Sequence, residues 1–405
     1  MAKILYFECS RCGEKLSADG PQTVCPADGG SLYVRYDLES VRQQVSHGKI
    51  IGEQPDMWRY HKLLPDVTPV TMGEGFTPLI KSTRYPGVWI KDESKNPTGS
   101  FKARGLGMAV TMARHYGLKK LAIPSAGNAA GALAAYCALA GIEAHICVPR
   151  DAPRANIIEC MVHGAKLTLI DGLISDCGRI IAERKAAEGW FDVATLKEPF
   201  RLEGKKTMGY EIAEQLGWRL PDAIIFPTGG GISLIAMWKA FAELEQLGIL
   251  NSGSYRPKMI AVQARGCSPF LKAFTDGNSV CEPWAGARTR AAGMRVPKSY
   301  GDYLVLDILR KSNGTVVTVS DEEMIESVCE CARAEGIFPS LEGAAAMAGL
   351  DRLMASGFLD PSQTVVVFNT GTGLKYLDIV AAAMDLPAQK SLAAMACAPG
   401  IPCVA

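Results

Sequence analysis

From about Leu121 onward the chain alternates short apolar runs with longer stretches of helical period. The runs LAIPSA, AHICVP, KLTLID, FDVAT, AIIFPT, MIAVQA, TVVTVS and TVVVFNT are apolar throughout rather than at every second position. Helical patterns such as Gly127 to Gly141, Pro153 to His163 and Leu173 to Gly189 separate them. Strands apolar on both faces belong to parallel sheets covered by helices on either side, so the pattern predicts an α/β fold. The stretch TLKEPFRLEGKK, near 195–205, is polar and precedes a second βα series, which places a boundary between two doubly wound α/β domains there. Residues 91–204 are expected to form the smaller domain and 205–386 the larger, with 46–90 a connecting segment packed on the larger. Residues 265–314 hold few clear periods and many Gly, Pro, Arg and Ser, and read as an irregular excursion, a lid or an oligomer contact. The tail 387–405 has no readable role.

Residues 1–45 depart from this rhythm. Cys9-Ser-Arg-Cys12-Gly13 and Cys25-Pro-Ala-Asp28-Gly29-Gly30 are followed by the β-like run Ser31 to Tyr36. Two short turns after strands, each ending in glycine, have the shape of a zinc ribbon. Cys9, Cys12 and Cys25 supply three ligands at ribbon spacing, with Asp28 in the fourth place. Closed structural zinc sites are almost always built from Cys and His. The missing sulfur therefore favours a degenerate ribbon held by packing alone over an occupied zinc site.

Composition narrows the function. The chain has 405 residues, 48% hydrophobic, with 43 Lys+Arg against 42 Asp+Glu, for a formal charge of +1. That excludes disorder and argues against nucleic acid as a partner, because phosphate-backbone binding requires surplus Lys and Arg. A charge or turn residue interrupts every apolar run before it could span a bilayer, so no membrane partner is expected. Most of the 13 cysteines lie inside apolar stretches and read as small buried hydrophobes, consistent with a reduced, cytoplasmic setting. Function is then expected in a pocket that takes a small molecule.

The densest chemical signal is Asn96-Pro-Thr-Gly-Ser100-Phe-Lys102. Asn-Pro-Thr-Gly is turn chemistry, Ser100 is a good helix N-cap, and Lys102 falls in the first helical turn. There the helix dipole disfavours an ammonium, and a lysine of lowered pKa suits Schiff-base chemistry toward an aldehyde. Ser125-Ala126-Gly127-Asn128-Ala129 follows a strand and opens a helix, offering free N–H groups to a carboxylate or phosphate. Thr228-Gly229-Gly230-Gly231-Ile232-Ser233 sits in the same position after AIIFPT. Three consecutive glycines at a strand end are entropically costly and mean that something must touch the backbone. The last apolar strand ends in Asn369-Thr370-Gly371-Thr-Gly373, at a carboxyl edge where open α/β folds bind ligands. A dinucleotide fingerprint would need glycine at Leu234 or Tyr376, and no P-loop, G-x-S-x-G or H-E-x-x-H occurs. One small ligand with an aldehyde for Lys102 and a phosphate for a glycine loop describes pyridoxal phosphate.

These segments, in this order, resemble the fold-type-II pyridoxal phosphate enzymes. Trp58-Arg-Tyr, Gly73-Glu-Gly-Phe-Thr-Pro78 and Phe200-Arg201-Leu-Glu-Gly204-Lys-Lys-Thr207 extend the similarity to the threonine synthases. The resemblance implies Lys102 as the covalent and catalytic lysine and Asn128 on the ring 3-oxygen. It implies Gly229 to Ser233 on the cofactor phosphate and Thr370 on the pyridine nitrogen. It further implies the Ser125–Ala129 backbone on the substrate carboxylate, Arg201 on a substrate phosphate, and a homodimer. The expected reaction turns O-phosphohomoserine and water into threonine and phosphate. Ala103, Ala126, Ala129 and Glu198 depart from that pattern and keep a serine/threonine dehydratase or a β-replacing synthase in play. A non-catalytic binding protein on the same scaffold is the reading from another class.

Overall fold

The computed structural model describes residues 3–44, 51–250 and 256–384. The tail read above as 387–405 lies outside them. The strands, in chain order, are β1 (Ile4–Cys9), β2 (Lys15–Leu16), β3 (Leu32–Tyr36), β4 (Leu79–Lys81), β5 (Val88–Asp92), β6 (Lys120–Pro124), β7 (Glu143–Pro149), β8 (Lys166–Ile170), β9 (Phe191–Asp192), β10 (Ala223–Pro227), β11 (Lys258–Ala264), β12 (Thr315–Val319) and β13 (Val365–Asn369).

They form three sheets. The ribbon-like module is a small antiparallel sheet in the order β2-β1-β3. A four-stranded sheet, β8-β7-β6-β9, is parallel throughout. A six-stranded sheet runs β12-β11-β10-β13-β5-β4. The fold is α/β, as the apolar runs predict, with one departure from parallel pairing. Edge strand β4 runs antiparallel to β5, because the short 82–87 connection returns the chain directly and cannot make a crossover. Strand β5 also crosses the expected boundary at residue 90 and belongs to the larger sheet. No described helix is long and apolar enough to cross a membrane.

The polar stretch read as the boundary between the two α/β domains is buried. Helix Phe200–Gln215 has every residue from Phe200 to Ala213 out of solvent. Several of its charges are neutralised internally. Lys206 pairs with Glu203 (2.7 Å) and Glu243 (3.1 Å), and Glu211 pairs with Lys91 (2.9 Å) and Arg104. Glu93 meets the same Arg104 guanidinium at 2.7 Å. Paired and hydrogen-bonded, these charges tolerate burial that isolated ones would not. The Trp58 and Glu74 motifs serve this scaffold, since buried Glu74 accepts from Trp58 Nε1 at 2.8 Å and Tyr136 Oη at 2.6 Å.

Two glycines set how closely the helix Lys102–His115 crosses the helix Phe200–Gln215. A Cβ on Gly204 would lie 2.1 Å from Arg104 O, and one on Gly105 would lie 2.9 Å from Arg201 O. Backbone cannot yield as a flexible side chain can, so Gly204→Ala is expected to cost about 3 kcal/mol, the upper end of overpacking. Thermal unfolding should show a Tm lower by about 5 °C, and an unchanged Tm would mean that the helices part easily.

Candidate active site

All four motifs lie at carboxyl ends of parallel strands, where backbone groups leave the sheet unpaired. β5 leads to the 93–101 turn and Lys102, β6 to Ser125–Gly127, β10 to Thr228–Gly231 and β13 to Thr370–Gly373. The first, second and fourth meet directly. Ser100 bridges Gly371, Phe101 N donates to Thr370 O at 3.1 Å, and Asn128 Nδ2 lies 3.4 Å from where a Cβ on Gly371 would stand.

Lys102 opens the helix Lys102–His115, but Ser100 does not cap it. The residue before the helix is Phe101, with no side-chain capping bond, and Ser100 Oγ is buried without a partner. Ser100 is extended (ψ 160) and its backbone is committed to the bridge with Gly371. Lys102 is half-buried, its Nζ 3.9 Å from the centroid of the Phe101 ring, with Lys205 Nζ 5.0 Å from the same centroid. Burial, reinforced by the Arg201 charge and opposed by Glu342, brings the Lys102 amine down from 10.5 to about 7. Burial also lowers Arg201 to about 10, and burial with the charges of Arg201 and Lys102 drives Lys205 well below the usual lysine range.

Arg201 donates one bond, from Nη1 to Val193 O at 2.7 Å, while its Nε and Nη2 and Lys205 Nζ are buried with no acceptor among the described residues. Glu198 does not fill that gap. Its carboxylate accepts from Phe200 N and Arg201 N, both at 2.8 Å, and so closes the first turn of the helix. Burial raises it to about 7, against the pull of those two amides and Arg201.

In the glycine loop, no backbone carbonyl among the described residues accepts from any amide between Gly229 and Ser233, and Ser233 Oγ is buried with no described partner. The helix Ile232–Gln246 directs these donors at one spot. Two of the glycines are required by the chain itself. Gly231 sits at φ +75, and a Cβ on Gly229 would lie 2.4 Å from Gly293 O. Gly230 is held by its carbonyl, which accepts from Ser299 Oγ at 2.8 Å. In the Ser125 loop, Ser125 N and Gly127 N are engaged, whereas the amides of Ala126, Asn128 and Ala129 donate to no carbonyl, and Asn128 Oδ1 is unpartnered.

Some neighbours of this site were not legible in the sequence. Glu342, whose Oε1 accepts from Gly293 N (2.9 Å) and Tyr376 Oη (2.5 Å), keeps Oε2 buried and unpaired within Coulomb reach of Lys102. Asn156 is buried with both amide atoms unpartnered. Neither belongs to a recognisable motif. The excursion 265–314 supplies Gly293 and Ser299 to the glycine loop, which gives that segment a supporting role at the site.

Residues 70–371 match the model of the pyridoxal-phosphate dependent enzymes. This chain belongs to that family. A threonine synthase of Methanosarcina acetivorans is 36% identical over 91% of this chain and 92% of its own length. One of Methanocaldococcus jannaschii is 33% identical over 94% and 95%. Among solved structures, maize serine racemase (TM-score 0.62, 20% identity) covers 76% of this chain and 92% of its own. A fungal L-serine ammonia-lyase from Rhizomucor miehei (0.63, 23%) covers 76% and 97%. Both are similar in fold.

The cofactor is pyridoxal phosphate, and the residues present fit it. A lysine amine titrating near 7, a helix start with unpaired amides for a phosphate, and unpartnered Ser233 and Asn128 atoms await a polar ligand.

Proposed function

We propose that the enzyme converts O-phosphohomoserine and water into threonine and inorganic phosphate. The observation that carries this reading is the pair of basic side chains, Arg201 and Lys205, buried beside Lys102 with Nε, Nη2 and Nζ lacking any acceptor among the described residues. Buried basic groups without acceptors are expensive, and a site retains them when an anion completes it and favours their charged form. The glycine loop offers one place for a phosphate, and these two basic side chains offer a second. A substrate with its own phosphate uses both, whereas serine or threonine would leave the second empty. The relatives named threonine synthase support the same choice.

In this reading Lys102 would hold the cofactor through its Nζ, Gly229 to Ser233 its phosphate, Asn128 its ring 3-oxygen and Thr370 its pyridine nitrogen. Bound there, pyridoxal phosphate supplies an electron sink for charge developing at the substrate Cα. Lys102 Nζ would take the Cα proton, then the Cβ proton as phosphate leaves Cγ. It would return one proton at Cγ to form the methyl and one at Cα, the proton of the added water passing to the departing phosphate. An amine titrating near neutrality is suited to this. The amides of Ala126, Asn128 and Ala129 hold the substrate carboxylate. Arg201 and Lys205 bind the phosphate at Cγ and stabilise it as it departs, and water then adds at Cβ. Lys206, bound to Glu203 and Glu243, is not available for that task. Glu198, turned to the helix amides, leaves the phosphate unopposed.

A homodimer and a cytoplasmic location belong to the same proposal. The cysteines among the described residues are free, which suits a reduced compartment. The deciding experiment is a product assay on O-phosphohomoserine, O-phosphoserine, serine and threonine. Threonine and phosphate from the first are expected. Release of 2-oxobutyrate from threonine, with O-phosphohomoserine intact, would establish a dehydratase, and turnover of O-phosphoserine alone a β-replacing synthase.

A further inference from the structure

The ribbon was expected to be vestigial because its fourth position is Asp28. Its geometry points elsewhere. Cys9 Sγ, Cys12 Sγ, Cys25 Sγ and a carboxylate oxygen of Asp28 all lie within 4.8 Å of one another. Cys12 Sγ and Cys25 Sγ are 3.7 Å apart, and Cys9 Sγ is 3.3 Å from Asp28 Oδ1. Around a tetrahedral zinc with ~2.3 Å bonds to sulfur and ~2.0–2.2 Å to oxygen, S···S edges are about 3.8 Å and S···O edges about 3.5 Å. A Cys12–Cys25 disulfide would need the sulfurs at about 2.05 Å.

The backbone around the cluster is built to the same end. Gly13 N donates to Cys9 O at 3.1 Å and Gly29 N to Cys25 O at 2.9 Å, so the two turns are matched knuckles. Each closes on a glycine in the left-handed region, Gly13 at φ +76 and Gly29 at φ +70. Arg11 N donates to Cys9 Sγ at 3.4 Å and Gly30 N to Asp28 Oδ1 at 2.7 Å, the second-layer bonds that orient ligands and spread their charge. A Cβ on Gly30 would lie 2.6 Å from Cys9 Sγ, so glycine lets the chain pass close to the cluster. Glu14, hydrogen-bonded to Cys25 Sγ at 3.3 Å, stands outside the set of four.

We propose that Cys9, Cys12, Cys25 and Asp28 bind one structural zinc ion. All four positions come from the chain, which marks a closed site rather than one that takes a substrate. Its place in the fold gives it a role. The second knuckle accepts from Tyr300 Oη at Gly29 O, and the first meets Tyr303 through Ser10 at 2.6 Å. Next to Tyr300, Ser299 holds the carbonyl of Gly230 in the glycine loop. The zinc stiffens the ribbon side of this brace.

The test uses the full chain with cofactor, stripped of metal and titrated with Zn2+ or Co2+ alone. One equivalent is expected to bind. Cobalt should give the intense visible bands of tetrahedral coordination with thiolate-to-cobalt charge transfer, and metal removal should lower the Tm. Cys12→Ser, at an exposed thiol, should weaken binding at least about a hundredfold, and Asp28→Ala at least about tenfold. Asp28→Cys should tighten it. The cobalt spectrum of the unaltered chain reads the site independently of how any variant folds. Substoichiometric binding, an octahedral spectrum, a Cys12–Cys25 disulfide in the purified chain, or a Tm indifferent to metal would overturn the proposal. Affinity unchanged in both Asp28 variants would remove Asp28 as the fourth ligand and overturn it as stated.

Discussion

Lys102→Ala is expected to lower kcat/KM by about four orders of magnitude, because one amine both holds the cofactor and carries the proton. The half-buried side chain makes no hydrogen bond to the scaffold, its described contact being the Phe101 ring, so Tm should change little. In the wild-type protein, borohydride should fix the cofactor to the peptide that contains Lys102, and label on another lysine would sink the assignment. The pH dependence is a second signature. The neutral amine is the nucleophile, so cofactor capture by the stripped chain should rise with pH and level off above about 7, where Lys102 has lost its proton. An amine titrating at the ordinary 10.5 would leave the rate still climbing at about pH 9. Glu342→Gln removes the charge that favours the ammonium and should move the midpoint down. Arg201→Ala removes an opposing charge and should move it up. Burial, the largest cause, is untouched in both, so neither midpoint should return to 10.5.

Arg201→Ala should raise KM for O-phosphohomoserine roughly 10- to 100-fold, the worth of one or two charge-assisted hydrogen bonds. Its effect on serine or threonine should stay below about threefold, since those substrates bring no phosphate to Nε and Nη2. A merely structural Arg201, serving Val193 O, would penalise all substrates alike. Lys205→Met separates the two costs further. It removes a buried amine that has no hydrogen-bond partner among the described residues, so the Tm without substrate should rise while KM for the phosphorylated substrate rises too. A fall in Tm, or a KM unchanged for O-phosphohomoserine, would remove Lys205 from the phosphate site. The two residues share one site, so their effects in the double variant should not add.

The sequence by itself determined the parallel sheets, the loops at their strand ends and the helix start at Lys102. Each of these is local: uniformly apolar runs bounded by glycine, and a turn tetrapeptide followed by a helical period, carry their meaning within about ten residues. Only the tertiary structure decided which charges are neutralised. Lys205 and Lys206 are adjacent, yet Lys206 meets Glu203 and Glu243 while Lys205 is left beside Lys102, because the glycine contact at Gly105 and Gly204 fixes how two helices cross. The same holds for polar Glu198 to Lys206, read as a domain boundary and found buried, and for Glu342, which reaches the Lys102 site from a helix 240 positions away. It holds as well for Asp28, which the preference of closed sites for Cys and His discounts and the fold brings within 4.8 Å of three sulfurs. Pairing and convergence depend on contacts between segments far apart in the chain, and no periodicity along it records them.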